Sequence, residues 1–108
     1  MNSRAKNIID FWFIKTPSEK RFKKDEALDL EIKNNFLEDH NLAKSGDYED
    51  WLNTSKECLA LIILLDQFSR NLFRDKKEAF DQDHKARLAV NQGIYLGHLH
   101  ELNETERL

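Results

Sequence analysis

Cys58-Leu-Ala-Leu-Ile-Ile-Leu-Leu-Asp-Gln-Phe-Ser-Arg-Asn-Leu-Phe-Arg74 is the stretch that decides the fold. Its first eight residues are apolar without interruption, and Asp66, Gln67, Arg70, Asn71 and Arg74 follow directly. On a helical wheel of ~100° per residue, Leu61, Leu65, Phe68 and Leu72 fall on one side. Leu59, Ile62 and Ile63 fall on the other side and run into the stripe Asp66, Arg70, Arg74. A helix apolar on both sides is covered on both sides, so this is a central element, and Asp66 and Arg70 are expected to lie partly inside and to need partners. Their i, i+4 spacing lets them pair with each other.

Working outward, the aliphatic spacing stays helical along the chain, and with one proline and three glycines there is little to build strand-rich folds from. The fold class is all-α. Ile8, Ile9, Phe11, Trp12 and Phe13 predict a first short helix that ends before Pro17, because proline removes a donor and restricts the residue before it. A second helix begins near Asp25, with Leu28, Ile32 and Phe36 at i, i+4, i+8, and runs toward a stop at Gly46. Trp51 falls in or beside a short connection, and Thr54 and Glu57 have capping-box spacing for the long apolar helix. Asp75-Lys-Lys-Glu78 reads as a surface turn, Asp83 is placed to cap a helix carrying Ala86, Leu88, Ala89, Val90 and Ile94, and Gly97 would close it. Asn103 and Glu106 repeat the capping pattern, so another helix is expected to open where the chain stops, which points to an excised or truncated piece.

The 108 residues suit one helical domain spanning 1–108. With 17 basic against 20 acidic residues the net charge is −3, which provides no field for nucleic acid or an anionic membrane surface. Asp10 interrupts the apolar N-terminal segment and no run approaches a membrane span, so a cytoplasmic protein is expected. The lone Cys58 cannot form an internal disulfide and reads as a small buried hydrophobe.

Chemistry-bearing patterns are sparse. There is no glycine loop for a nucleotide, no serine nucleophile elbow and no HExxH pattern, so no catalytic residue, cofactor or metal is assigned and enzymatic activity stays open. His98 and His100 lie two apart in an expected loop without further ligands. His84 reads as a first-turn surface residue and His40, in a polar segment, as solvated. Trp12 and Trp51 either staple helices together or line a recognition groove.

Two readings fit the Asp66 cluster. In the first, Asp66 accepts from Arg70 while Gln67 and Asn71 bond neighbouring backbone, and the group sets how helices cross. In the second, Arg70, Asn71 and Arg74 present donors to a carboxylate or phosphate and Asp66 orients both arginines. The candidate binding residues are therefore Asp66, Gln67, Arg70, Asn71 and Arg74, with Trp12 and Trp51 beside them.

Ile9-Asp-Phe-Trp-Phe13, Phe22-Lys-Lys-Asp25, the isolated Trp51 and above all residues 61–74 occur in an order that resembles the bacterial DUF924 family, from about Ile8 to Leu108. The resemblance implies a tetratricopeptide-like protein, with antiparallel helix pairs stacked into a curved array and no assigned activity. Ser69 stands where many members carry proline, so an expected kink would be absent or displaced. The family continues past Leu108, which makes this chain resemble the N-terminal portion of a longer domain with apolar faces left open to self-association. The expected function is a binding or scaffold module for a protein or peptide. The competing expectation is a small-anion receptor or enzyme built on the Asp/Arg/Asn cluster.

Overall fold

The computed structural model of the chain describes residues 2–20, 25–98 and 102, and every regular element among them is helical. Helix α1 (Ser3–Asp10) starts where Asn2 Oδ1 accepts from the Arg4 and Ala5 amides at 2.8 and 3.3 Å. It runs straight into a wider π-helical turn, Phe11–Lys15, and extended Thr16 ends it before Pro17, as proline demands. Helix α2 (Glu26–Lys44) starts on Asp25, whose carboxylate accepts from the Leu28 amide at 2.9 Å. It ends in a Schellman closure, in which the Asp47 amide reaches the Leu42 carbonyl at 2.9 Å and the Gly46 amide reaches Ala43 at 3.2 Å. That closure places Gly46 at φ +90°, which only glycine adopts without steric cost.

A 3-10 turn, Glu49–Asn53, carries Trp51 into the core and leads to helix α3 (Ser55–Ile62). Thr54 takes the cap position as its spacing implied, but its hydroxyl donates to Glu57 Oε1 at 3.2 Å instead of accepting from a backbone amide. A π-helical turn, Ile63–Phe68, then joins α3 to helix α4 (Ser69–Leu72) in one continuous helical rod. This turn changes the wheel drawn at α-helical pitch. Ile63, Leu64, Leu65, Phe68 and Ser69 all become buried, while Leu72, expected on the core stripe, and Ile62 are half-buried. The departure from α geometry precedes Ser69, which is itself helical and donates its hydroxyl to the Leu65 carbonyl at 2.7 Å.

The two wide turns meet at the centre of the core. The Phe68 ring lies 5.1 Å from Phe36, 5.7 Å from Trp12 and 6.1 Å from Phe11, mostly edge to face, the arrangement that aromatic quadrupoles favour. α1 packs on α3, and α2 packs on the π turn and α4.

Past an exposed turn that includes Asp75 at φ 65°, helix α5 (Asp83–Tyr95) packs on α3. Asp83 is not its cap. Gln82 holds that position without a side-chain bond, and Asp83 opens the helix proper, its carboxylate 3.6 Å from Arg70. α5 approaches α3 closely because the facing residues are small: Cys58 Sγ lies 3.6 Å from the Ala89 carbonyl, and a Cβ on Gly93 would stand 3.3 Å from that sulfur. Gly97 closes α5 as expected, its amide bonding the Ile94 carbonyl at 3.0 Å. Phe22 to Lys24 and the Asn103–Glu106 capping pattern lie outside the described residues. Among the described residues no helix is long and apolar enough to cross a membrane.

Candidate functional site

The polar stripe that follows the apolar run is divided between two carboxylate centres. In the first, Asp66 Oδ1 accepts from Arg70 Nη2 at 3.0 Å and Oδ2 from Gln67 Nε2 at 2.6 Å. Arg70 is also 3.6 Å from Asp83, and its guanidinium lies over the Phe80 ring at 5.0 Å from the centroid. In the second, Asp29 of α2 accepts from Asn71 Nδ2 at 2.9 Å and, in a two-pronged grip, from Arg74 Nε at 2.6 Å and Nη2 at 3.0 Å. The hydrogen bonds to Asp29 raise the Arg74 pKa above its ordinary value.

This arrangement corrects two expectations. Gln67 and Asn71 bond carboxylates instead of neighbouring backbone. Asp66 orients Arg70 but not Arg74, which lies past the end of α4. Asp29 comes from the helix packed across α4 and meets the guanidinium directly. Three carboxylates, Asp29, Asp66 and Asp83, now face the two guanidiniums.

His40, expected in solvent, is buried at 2 % exposure. It lies one further step along the Leu28, Ile32, Phe36 stripe, with its ring edge-on to Phe73 at 5.6 Å. Its Nε2 is 2.7 Å from Ser69 Oγ. Since the Ser69 hydroxyl proton goes to the Leu65 carbonyl, Nε2 must be the donor. A serine spent in this way, accepting from the imidazole, is the reverse of a serine being activated by a histidine base. Burial lowers the His40 pKa to about 4, assisted by the Lys44 charge, and Nδ1 is a buried acceptor with no hydrogen-bond partner among the described residues.

A second cluster escaped the sequence reading. Buried Asp39 is paired with Arg4 and accepts from the Tyr48 hydroxyl at 2.7 Å, and Arg4 also donates to the Asn35 carbonyl at 3.1 Å. Burial, then this hydrogen bond, pushes the Tyr48 pKa up, and bonding to Asp39 pushes up that of Arg4. Tyr48 stacks on Trp51 with centroids 3.9 Å apart. Trp12 and Trp51 are both buried and join helices. His98, expected as a loop residue without a role, is buried with Nε2 2.8 Å from the Leu52 carbonyl, while His84 is exposed; His100 lies outside the described residues. Cys58 is buried as expected, and burial pushes its thiol up to about 11. Among the described residues no group of three or more histidine, cysteine or acidic side chains could hold a metal ion.

The sequence matches a family model described as a bacterial protein of unknown function, DUF924, over residues 8–108. A solved structure of a protein of unknown function from Agrobacterium tumefaciens is 36% identical and superposes with a TM-score of 0.90, the match covering 95% of this chain and 58% of that one. The chain thus spans rather more than half of that relative's length. None of the curated proteins compared with it matches.

Proposed function

The chain belongs to the DUF924 family of bacterial proteins of unknown function, and from that premise we propose that it is a tetratricopeptide-like binding module, acting in the cytoplasm, that holds a protein or peptide on α5. The pairing of α1 with α3, of α2 with α4 and of α3 with α5 supports an array of stacked helices. The observation that carries the reading is the inverted character of α5. It buries Ala86, Ala89 and Gly93 and leaves Leu88, Ile94 and Tyr95 at 54%, 59% and 84% exposure. A helix covered on one side only turns its large apolar residues inward and its polar ones outward. Leu88 and Tyr95 lie seven residues apart on one outward stripe, the spacing of anchors for a partner, while Val90 and Ile94, four apart, lie roughly 130° round the helix on its other flank.

The competing reading, a small-anion receptor or enzyme at Asp66, Arg70, Asn71 and Arg74, has less support. An incoming anion would have to displace Asp29 from a two-pronged grip and meet three carboxylates. The experiment is affinity capture with crosslinking by the wild type and by a Leu88→Glu/Ile94→Glu variant whose melting is checked. A defined protein held by the wild type and lost by a folded variant supports the module. Identical capture by both would refute it, and a melting shift with inorganic phosphate abolished by Arg70→Ala would favour the receptor.

A further inference from the structure

Stacked helical arrays close their ends with helices whose outer faces are polar, because an end helix has no neighbour to cover it. Helix α2 follows that rule, since most of its exposed positions are polar or charged, Glu31, Lys33, Asn34 and Glu38 among them. Helix α5 does not. It buries Ala86, Ala89 and Gly93, and away from that line stand two exposed apolar flanks, Leu88 with Tyr95 and Val90 with Ile94. On the wheel the flanks are roughly 130° apart. Packed helices have axes about 8–10 Å apart and touch along one stripe, so a single helix laid on α5 covers one flank and leaves the other in water. Flanks so placed form a seat for two helices, one against each.

Arg87 and Asn91 lie on the wheel between the two flanks, both exposed. Arg87 makes no ion pair among the described residues. A cation between two apolar flanks is placed to meet an acidic side chain where the two covering helices come together.

The match with the Agrobacterium tumefaciens protein points the same way. It takes in 95% of this chain but 58% of that one, so the relative carries further chain while keeping the shared helices at a TM-score of 0.90. A helix with the character of α5 needs cover in that protein too, and the further chain is there to supply it.

We propose that the partner held on α5 is a helix pair homologous to part of the Agrobacterium protein's further chain, arriving as a separate polypeptide. One helix lies on Leu88 and Tyr95, the other on Val90 and Ile94, and an acidic side chain of the pair meets Arg87. The inference rests on the binding-module reading and names its partner.

The test is interferometry with the whole chain immobilised and, as analyte, the part of the Agrobacterium protein outside the match, joined to a soluble carrier whose binding alone is the blank. Saturable binding is expected. Leu88→Ser and Ile94→Ser should each weaken it about tenfold at an unchanged melting temperature, because each strips one flank at an exposed position, and Arg87→Glu should weaken it about fivefold. A loss confined to one flank would overturn the helix pair in favour of a single helix. No saturable binding would overturn the proposal, and a different protein still captured on α5 would then leave the module reading standing. A dimer of this chain in sedimentation that Leu88→Ser dissolves would also overturn it, since a second copy would be the occupant. In the whole Agrobacterium protein, a cysteine at the position aligned with Ile94 should react slowly with a maleimide, and labelling at the rate of an exposed thiol would refute the cover inferred for α5.

Discussion

Acidification should weaken this fold through His40 in particular. The ring is buried and neutral, donates to Ser69 and has its pKa lowered from 6.5 to about 4, chiefly by burial. Between these two values the unfolded chain binds a proton that the folded chain refuses, so stability rises with pH across the window. The contribution is fully present above about pH 6.5 and is lost as pH falls toward about 4. At ~1.4 kcal/mol per tenfold change in proton affinity the whole effect is about 3 kcal/mol, of which about 2 kcal/mol is gone by about pH 4.5. For a chain of this size that is a substantial fraction of the roughly 5–15 kcal/mol typical of folded domains. Urea unfolding of the wild type and His40→Asn at neutral pH and at about pH 4.5 separates His40 from the carboxylates that titrate in the same range, because those act in both proteins. The variant is less stable at neutral pH and loses about 2 kcal/mol less on acidification. Parallel losses in the two proteins, or a His40 ring signal that titrates near 6.5 by NMR, would refute the reasoning.

Three more outcomes are expected. Asp29→Ala should cost about 2–4 kcal/mol in urea unfolding, since it strands Arg74 and Asn71, whereas Asp66→Ala should cost less than about 1 kcal/mol because Arg70 is 42% exposed and keeps Asp83 and Phe80; equal costs would show that the two carboxylate centres do not differ as described. Cys58 should react with a disulfide reagent only as fast as the protein unfolds, given its burial and raised pKa, and immediate labelling in native buffer would contradict its placement under α5. Gly46→Ala should lower stability by about 1 kcal/mol, read as a drop in melting temperature, because alanine must adopt φ +90° to keep the α2 closure.

How much could be read in advance differs between the elements and the site. Asp25, Gly46 and Gly97 announced helix ends because a cap or a left-handed closure involves residues a few positions apart, and these positions behaved as their chemistry requires. Asp83 misled by one position, since a capping preference marks a helix start only to within a residue or two and Gln82 took the cap. His40 carried a legible signal that went unused: the step of four through Leu28, Ile32 and Phe36 reaches it, although its neighbours Glu38, Asp39 and Asn41 make the segment look solvated. The Arg4, Asp39 and Tyr48 cluster had no comparable signal, since its members are far apart in the chain and each is ordinary alone.

By itself the sequence determined the all-helical class, the order of the helices, the mostly buried course of residues 58–65 and the burial of Cys58, because periodicity and capping act over one or two turns. Only tertiary structure decided that Asp29 holds Arg74, that His40 meets Ser69, and that α5 turns its small residues inward. Those outcomes depend on which helix lies across which. Residues 42 and 45 positions from Asp29 meet it by packing, and no local pattern encodes that separation.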